Sequence, residues 1–124
     1  MNYDHIIKPE EKLNDKRFHL SCGFYDTTSF LFEKSGLSVT VHCKGNFTFR
    51  NSDGETMNTI MAKPMTDGRE CYMDIMITVT DDKIIFRLPD YSWTDNYPHC
   101  DGESDRWDAE IIGINDEIIY TIPE

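Results

Sequence analysis

The sequence predicts a mainly β domain, all-β or α+β, built as an antiparallel sandwich or a strongly bent sheet of seven to eight short strands with a short N-terminal helix. Three observations carry that expectation. Apolar and polar residues alternate with period two along most of the chain. Turn residues recur every eight to twelve positions. At 124 residues, with 39% hydrophobic and 12% aromatic content, the chain has the size and core material of one domain, 1–124.

Residues 1–16 are polar, and Pro9-Glu10-Glu11 suits a first helical turn, which predicts a short helix to about Lys16. Residues 17–88 read as antiparallel strands. From Arg17, Phe18, Leu20, Cys22 and Phe24 alternate with His19, Ser21, Gly23 and Tyr25, the pattern of a half-buried strand. Ser29 to Glu33 holds Phe30-Leu31-Phe32. After the Ser35-Gly36 turn, Leu37, Val39, Val41 and Cys43 again alternate with polar neighbours. Asn46 to Arg50 sets Phe47 and Phe49 on one face. Asn51-Ser52-Asp53-Gly54 then signals a tight hairpin to Thr56–Ala62, because Asp and Gly tolerate positive φ. Beyond the 63–68 loop, Cys71 to Thr80 is the longest strand candidate, with Cys71, Met73, Ile75, Ile77 and Val79 on one side, and Asp81-Asp82 turns it into Lys83 to Leu88. Residues 89–108 interrupt the pattern as an acidic aromatic loop. Residues 109–122 read as a C-terminal hairpin, Ala109–Ile114 and Ile118–Ile122 about Asn115-Asp116-Glu117.

No basic start followed by an apolar run opens the chain, and eighteen consecutive apolar residues occur nowhere, so the expectation is a cytoplasmic protein with its four cysteines reduced. Cys22, Cys43 and Cys71 fall in apolar register, where a thiol acts as a small hydrophobe. The formal net charge is −11, unevenly placed: residues 81–124 hold twelve acids against Lys83, Arg87 and Arg106. That balance repels nucleic acid and attracts basic partners. The basic cluster Lys8, Lys12, Lys16 and Arg17 is diluted by Glu10, Glu11 and Asp15, so direct nucleic-acid binding is not expected.

Chemical motifs are weak. Asp101, Glu103, Asp105 and Asp108 have the composition of a calcium loop, but its glycine belongs at the sixth position and here it is the second. His19 and Cys22, three apart on an extended strand, face opposite sides and cannot share zinc, and the adjacent pairs His42-Cys43 and His99-Cys100 meet the same difficulty. Cys100 beside His99 is the best nucleophile candidate, yet surrounding carboxylates oppose thiolate formation. No metal or cofactor is expected, and no catalytic residue is assigned.

The segment with character is 90–108, DYSWTDNYPHCDGESDRWD. Tyr91, Trp93, Tyr97 and Trp107 stand among Asp90, Asp95, Asp101, Glu103, Asp105 and Asp108. Trp and Tyr bring large contact area at low entropic cost, and flanking carboxylates steer a cationic partner. These ten residues are the expected partner-binding set. The plainer reading is that the tryptophans plug one end of the sandwich while the acids face water. In size, charge and β-rich pattern the chain resembles the small acidic immunity proteins that accompany bacterial polymorphic or contact-dependent toxins. The resemblance implies a non-catalytic inhibitor that neutralises a basic protein, a toxin nuclease domain, by placing a carboxylate-rich surface over its active site, with no cofactor; no membrane association is expected. Three alternatives stand beside it: a phage-encoded DNA mimic acting against host defence, with carboxylates spread along an extended face; a small-ligand-binding β domain or enzyme with a pocket between its sheets; and a structural or assembly subunit, which would expose an apolar patch or sheet edge.

Overall fold

The computed structural model describes residues 3–22, 27–42, 46–62, 71–92 and 110–123. They form ten strands: β1 (His5–Ile7), β2 (Leu13–Cys22), β3 (Thr27–Phe32), β4 (Leu37–His42), β5 (Asn46–Arg50), β6 (Thr56–Ala62), β7 (Cys71–Val79), β8 (Lys83–Ser92), β9 (Glu110–Ile112) and β10 (Glu117–Thr121). Six build one sheet in the order β1-β3-β4-β5-β6-β9, and four build the other in the order β10-β8-β7-β2. The pairings are antiparallel except at the two ends of the larger sheet, where β1 runs parallel to β3 and β9 parallel to β6. Among the described residues no helix is long and apolar enough to cross a membrane.

Alternation decides which face each strand buries. Phe30 and Phe32 of β3, Leu37, Val39 and Val41 of β4, and Phe47 and Phe49 of β5 line the inner face of the larger sheet. Met73, Ile75, Ile77 and Val79 of β7 and Ile84, Phe86 and Leu88 of β8 line the inner face of the smaller one. The two sets form one core. Phe86 is its keystone: its ring meets Phe32, Phe47 and Phe49 of the opposite sheet at centroid separations of 5.8, 6.5 and 5.6 Å, each edge to face. That geometry suits the aromatic quadrupole. Full burial of each such ring contributes roughly 1.5–3 kcal/mol.

Four expectations from the sequence need correction. No N-terminal helix forms among the described residues. Instead β1 adds to β3, with His5 opposite Phe30 and Ile7 opposite Phe32, and Pro9 sits in a turn closed by Glu11 N–H to the Lys8 carbonyl at 3.1 Å. The Lys8 N–H in turn donates to Glu11 Oε1 at 2.9 Å, so the proline and acid that suggest a helical start serve a reverse turn. Second, β2 begins at Leu13 rather than Arg17. An irregularity between Leu13 and Lys16, with Asp15 at φ 51°, breaks the alternation that marks the rest of the strand. Third, β8 continues through Pro89 to Ser92. A register shift between Asp74 and Met76 leaves Leu88 and Pro89 facing the single residue Ile75, and a bulge is where a strand tolerates a residue that cannot donate. Fourth, β9 and β10 are not a hairpin. They belong to different sheets, joined by a turn in which Asp116 N–H reaches the Gly113 carbonyl and Asn115 N–H reaches Leu88. With β1 added, the described strands number ten rather than seven or eight.

The expected hairpin at Asn51–Gly54 forms as read. Gly54 takes φ 81° and its N–H bonds the Asn51 carbonyl at 3.0 Å. Gly36, at φ 73° after β3, lies against that turn: a Cβ there would stand 2.6 Å from Ser52 Cβ. These turns, with 80–82, mark one end of the sandwich.

Candidate functional site

The opposite end is defined by register. β2 ends at Cys22 opposite Cys71, where β7 starts, and Tyr72 lies opposite Ser92, where β8 ends. In the larger sheet Thr27 pairs with His42, His42 with Asn46, and Asn46 with Met61. Connections 23–26, 63–70 and 93–109 each join one of these sheet ends to the other, and 43–45 closes β4 to β5 beside them. Four connections therefore start and finish around one end, the arrangement by which sandwich domains present binding loops on a rigid base. In sequence they carry Phe24, Tyr25, Trp93, Tyr97 and Trp107, and eight acids against Lys44, Lys63, Arg69 and Arg106.

Of the ten residues expected to contact a partner, Asp90 and Tyr91 lie on β8, as register partners of Asp74 and Met73. Trp93, Asp95, Tyr97, Asp101, Glu103, Asp105, Trp107 and Asp108 lie outside the described residues, as does the His99-Cys100 pair.

Beside Asp90 the outer face of the smaller sheet holds a network that the sequence does not announce. Asp74, on the polar side of β7, accepts Arg17 Nη1 on one carboxylate oxygen and pairs with His19 Nδ1 on the other, each at 2.5 Å. Its side chain is only 13% exposed. Burial by itself would raise the Asp74 pKa, but the hydrogen bonds and charges of His19 and Arg17 outweigh it and hold the carboxyl below its ordinary value. Further along, the Asp15 N–H donates to Thr78 Oγ1, whose hydroxyl returns a bond to Asp15 Oδ1. Arg87 bonds Asn115 Oδ1 at 3.0 Å, approaches Asp15 at 3.6 Å and touches the Met76 sulfur at 3.3 Å. Arg17 and His19 stand two apart on one face of an alternating strand, which was legible. Their shared partner, 57 and 55 positions away, was not.

The chemistry of this face is mixed rather than acidic, since Asp15 and Asp74 each approach an arginine. Among the described residues it shows no unbroken row of carboxylates of the kind that imitation of a phosphate backbone requires. A His–Asp pair is also half of a nucleophilic relay. Here the second carboxylate oxygen is engaged by Arg17, and the pair ties β2 to β7. Among the described residues no three His, Cys, Asp or Glu side chains converge as metal ligands.

Comparison with known proteins gives no matching family model, no matching curated protein and no matching solved structure.

Proposed function

We propose that the chain is a non-catalytic inhibitor that binds and neutralises a basic protein, as an immunity protein neutralises a nuclease toxin, through the acidic aromatic segment 90–108. The observation that supports it is the convergence of four connections at one end of a rigid sandwich. Both anchors of the acidic segment belong to that end: Ser92 closes β8, and Glu110 opens β9 opposite Ile60, two positions before β6 stops. In sequence the connections that meet there hold eight acids against four bases, together with five aromatic residues. Charge draws a cationic domain in, and the rings supply the contact area that holds it.

Two features of the described residues bear on the alternatives. The phenylalanines that would line a pocket between the sheets are committed to one another across the core, Phe86 with Phe32, Phe47 and Phe49. The charge-mixed outer face lends nothing to DNA mimicry. The test is protection in cells. Co-expression with the product of the adjacent reading frame should restore growth and co-purify a basic domain, and replacing Trp93 and Trp107 by alanine should abolish both. A chain that neither rescues growth nor retains any basic protein is not an inhibitor of this kind.

A further inference from the structure

The four-stranded sheet ends in β10, and β8 is its sole strand neighbour among the described residues. Backbone geometry fixes which groups are unused. Ile122 N–H donates to the Asp82 carbonyl at 2.7 Å, continuing the register in which Ile118 faces Phe86 and Tyr120 faces Ile84. In an antiparallel ladder alternate residues turn both backbone groups to the same side. Ile118, Tyr120 and Ile122 therefore bond β8, and Glu117, Ile119 and Thr121 turn theirs outward. Their side chains occupy the outer face, where Ile119 is 55% exposed beside Ile85.

We propose that this edge pairs with β10 of a second copy, antiparallel about Ile119, merging two four-stranded sheets into one continuous sheet. The strand is self-complementary in that register. Ile119 meets its own copy, extending the Ile85–Ile119 row into four isoleucines across the junction. Glu117 lies opposite Thr121 of the copy, so no acid faces its twin. The same row carries Arg87 behind Glu117 and Lys83 behind Thr121, which brings the copy's lysine within one strand spacing beyond Thr121 of each Glu117. No like charges meet across the seam, and the row Arg87, Glu117, Thr121, Lys83 that crosses it carries its one acid between two bases. The net charge of −11 on each copy opposes association at long range. Because that repulsion is screened at about 0.5 M salt, while the backbone ladder and the isoleucine row do not depend on net charge, pairing tightens as salt rises. This inference is independent of the partner proposed above, since it uses the sheet edge and not the segment 90–108.

Sedimentation velocity of the full chain at low and at about 0.5 M salt tests it, with hydrogen exchange read at the β10 amides. A salt-promoted dimer is expected, with concentration-dependent protection at Glu117, Ile119 and Thr121. Thr121→Glu, at an exposed position, sets carboxylates opposite one another twice per dimer and should weaken association about tenfold, whereas Thr121→Lys should strengthen it. A chain that stays monomeric at millimolar concentration in high salt overturns the proposal. So does a dimer indifferent to both Thr121 variants or to Ile119→Lys, and so does protection of these amides only when a different protein is added.

Discussion

Arg17 and Asp74 are 57 residues apart in the chain and bonded across neighbouring strands, guanidinium to carboxylate at 2.5 Å. Together with His19 they fasten the edge strand β2 to β7 on the outer face. Arg17 is half exposed, so solvent screens much of the attraction. Asp74→Asn should cost about 1 kcal/mol, read as a shift in denaturation midpoint at neutral pH. The pH dependence has a definite sign. The Asp74 pKa is lower in the folded chain than the ordinary value of 3.8, so its contribution is complete above that value and is lost as pH falls below it. The asparagine variant should differ from wild type at neutral pH and converge with it in strong acid.

His5 supplies a second pH response at higher pH. Its ring stacks on Phe30 at 4.9 Å and meets the edge of Phe18 at 4.8 Å, joining β1 to both sheets. Burial lowers its pKa from 6.5, opposed by the nearby charge of Asp4 and assisted by Lys16. The unfolded chain therefore binds the proton first, and stability falls as pH drops below 6.5. His5→Phe should remove that loss, so the variant gains on wild type between pH 7.5 and about 5.5 in urea denaturation.

Phe86 carries the contact between the sheets. Phe86→Ala should cost about 3–5 kcal/mol through lost burial and the cavity left behind. A domain of this class has about 5–15 kcal/mol in total. Thermal or urea denaturation should show a protein close to the edge of folding.

Two glycines separate strain from crowding. Gly36 and Gly54 both hold positive φ, which an L side chain adopts at a cost of about 1–2 kcal/mol. Nothing stands within 4 Å of the Cβ position at Gly54, while at Gly36 it meets Ser52 at 2.6 Å. Gly54→Ala should show the backbone cost alone. Gly36→Ala should cost clearly more, because the turn holding Ser52 has to move.

What the sequence discloses is what short-range pattern controls. Met73-Ile75-Ile77-Val79 and Leu37-Val39-Val41 name their own buried face, and Asn51–Gly54 names its own hairpin. Non-local pairing leaves no such trace. His5-Ile6-Ile7 is too short to show a period and gains its place from β3, 25 residues on. At Asn115 the turn residues are genuine, with φ 68°, but the same chemistry serves a hairpin or a crossing between sheets. The choice is made by distant partners, Ile60 for Glu110 and Arg87 for Glu117. For the candidate site, composition pointed to the segment 90–108, and only register showed that three further connections share its end.

The proposed function depends on Trp93 and Trp107 standing at the surface in a negative field. They are the two tryptophans of the chain, so fluorescence reports them alone. Collisional quenching of the free protein at low salt measures exposure and sign together. The inhibitor reading predicts strong quenching by caesium and weak quenching by iodide, both cut sharply when a basic partner is bound. Emission that neither ion quenches, with the indoles sealed in the core, would contradict it.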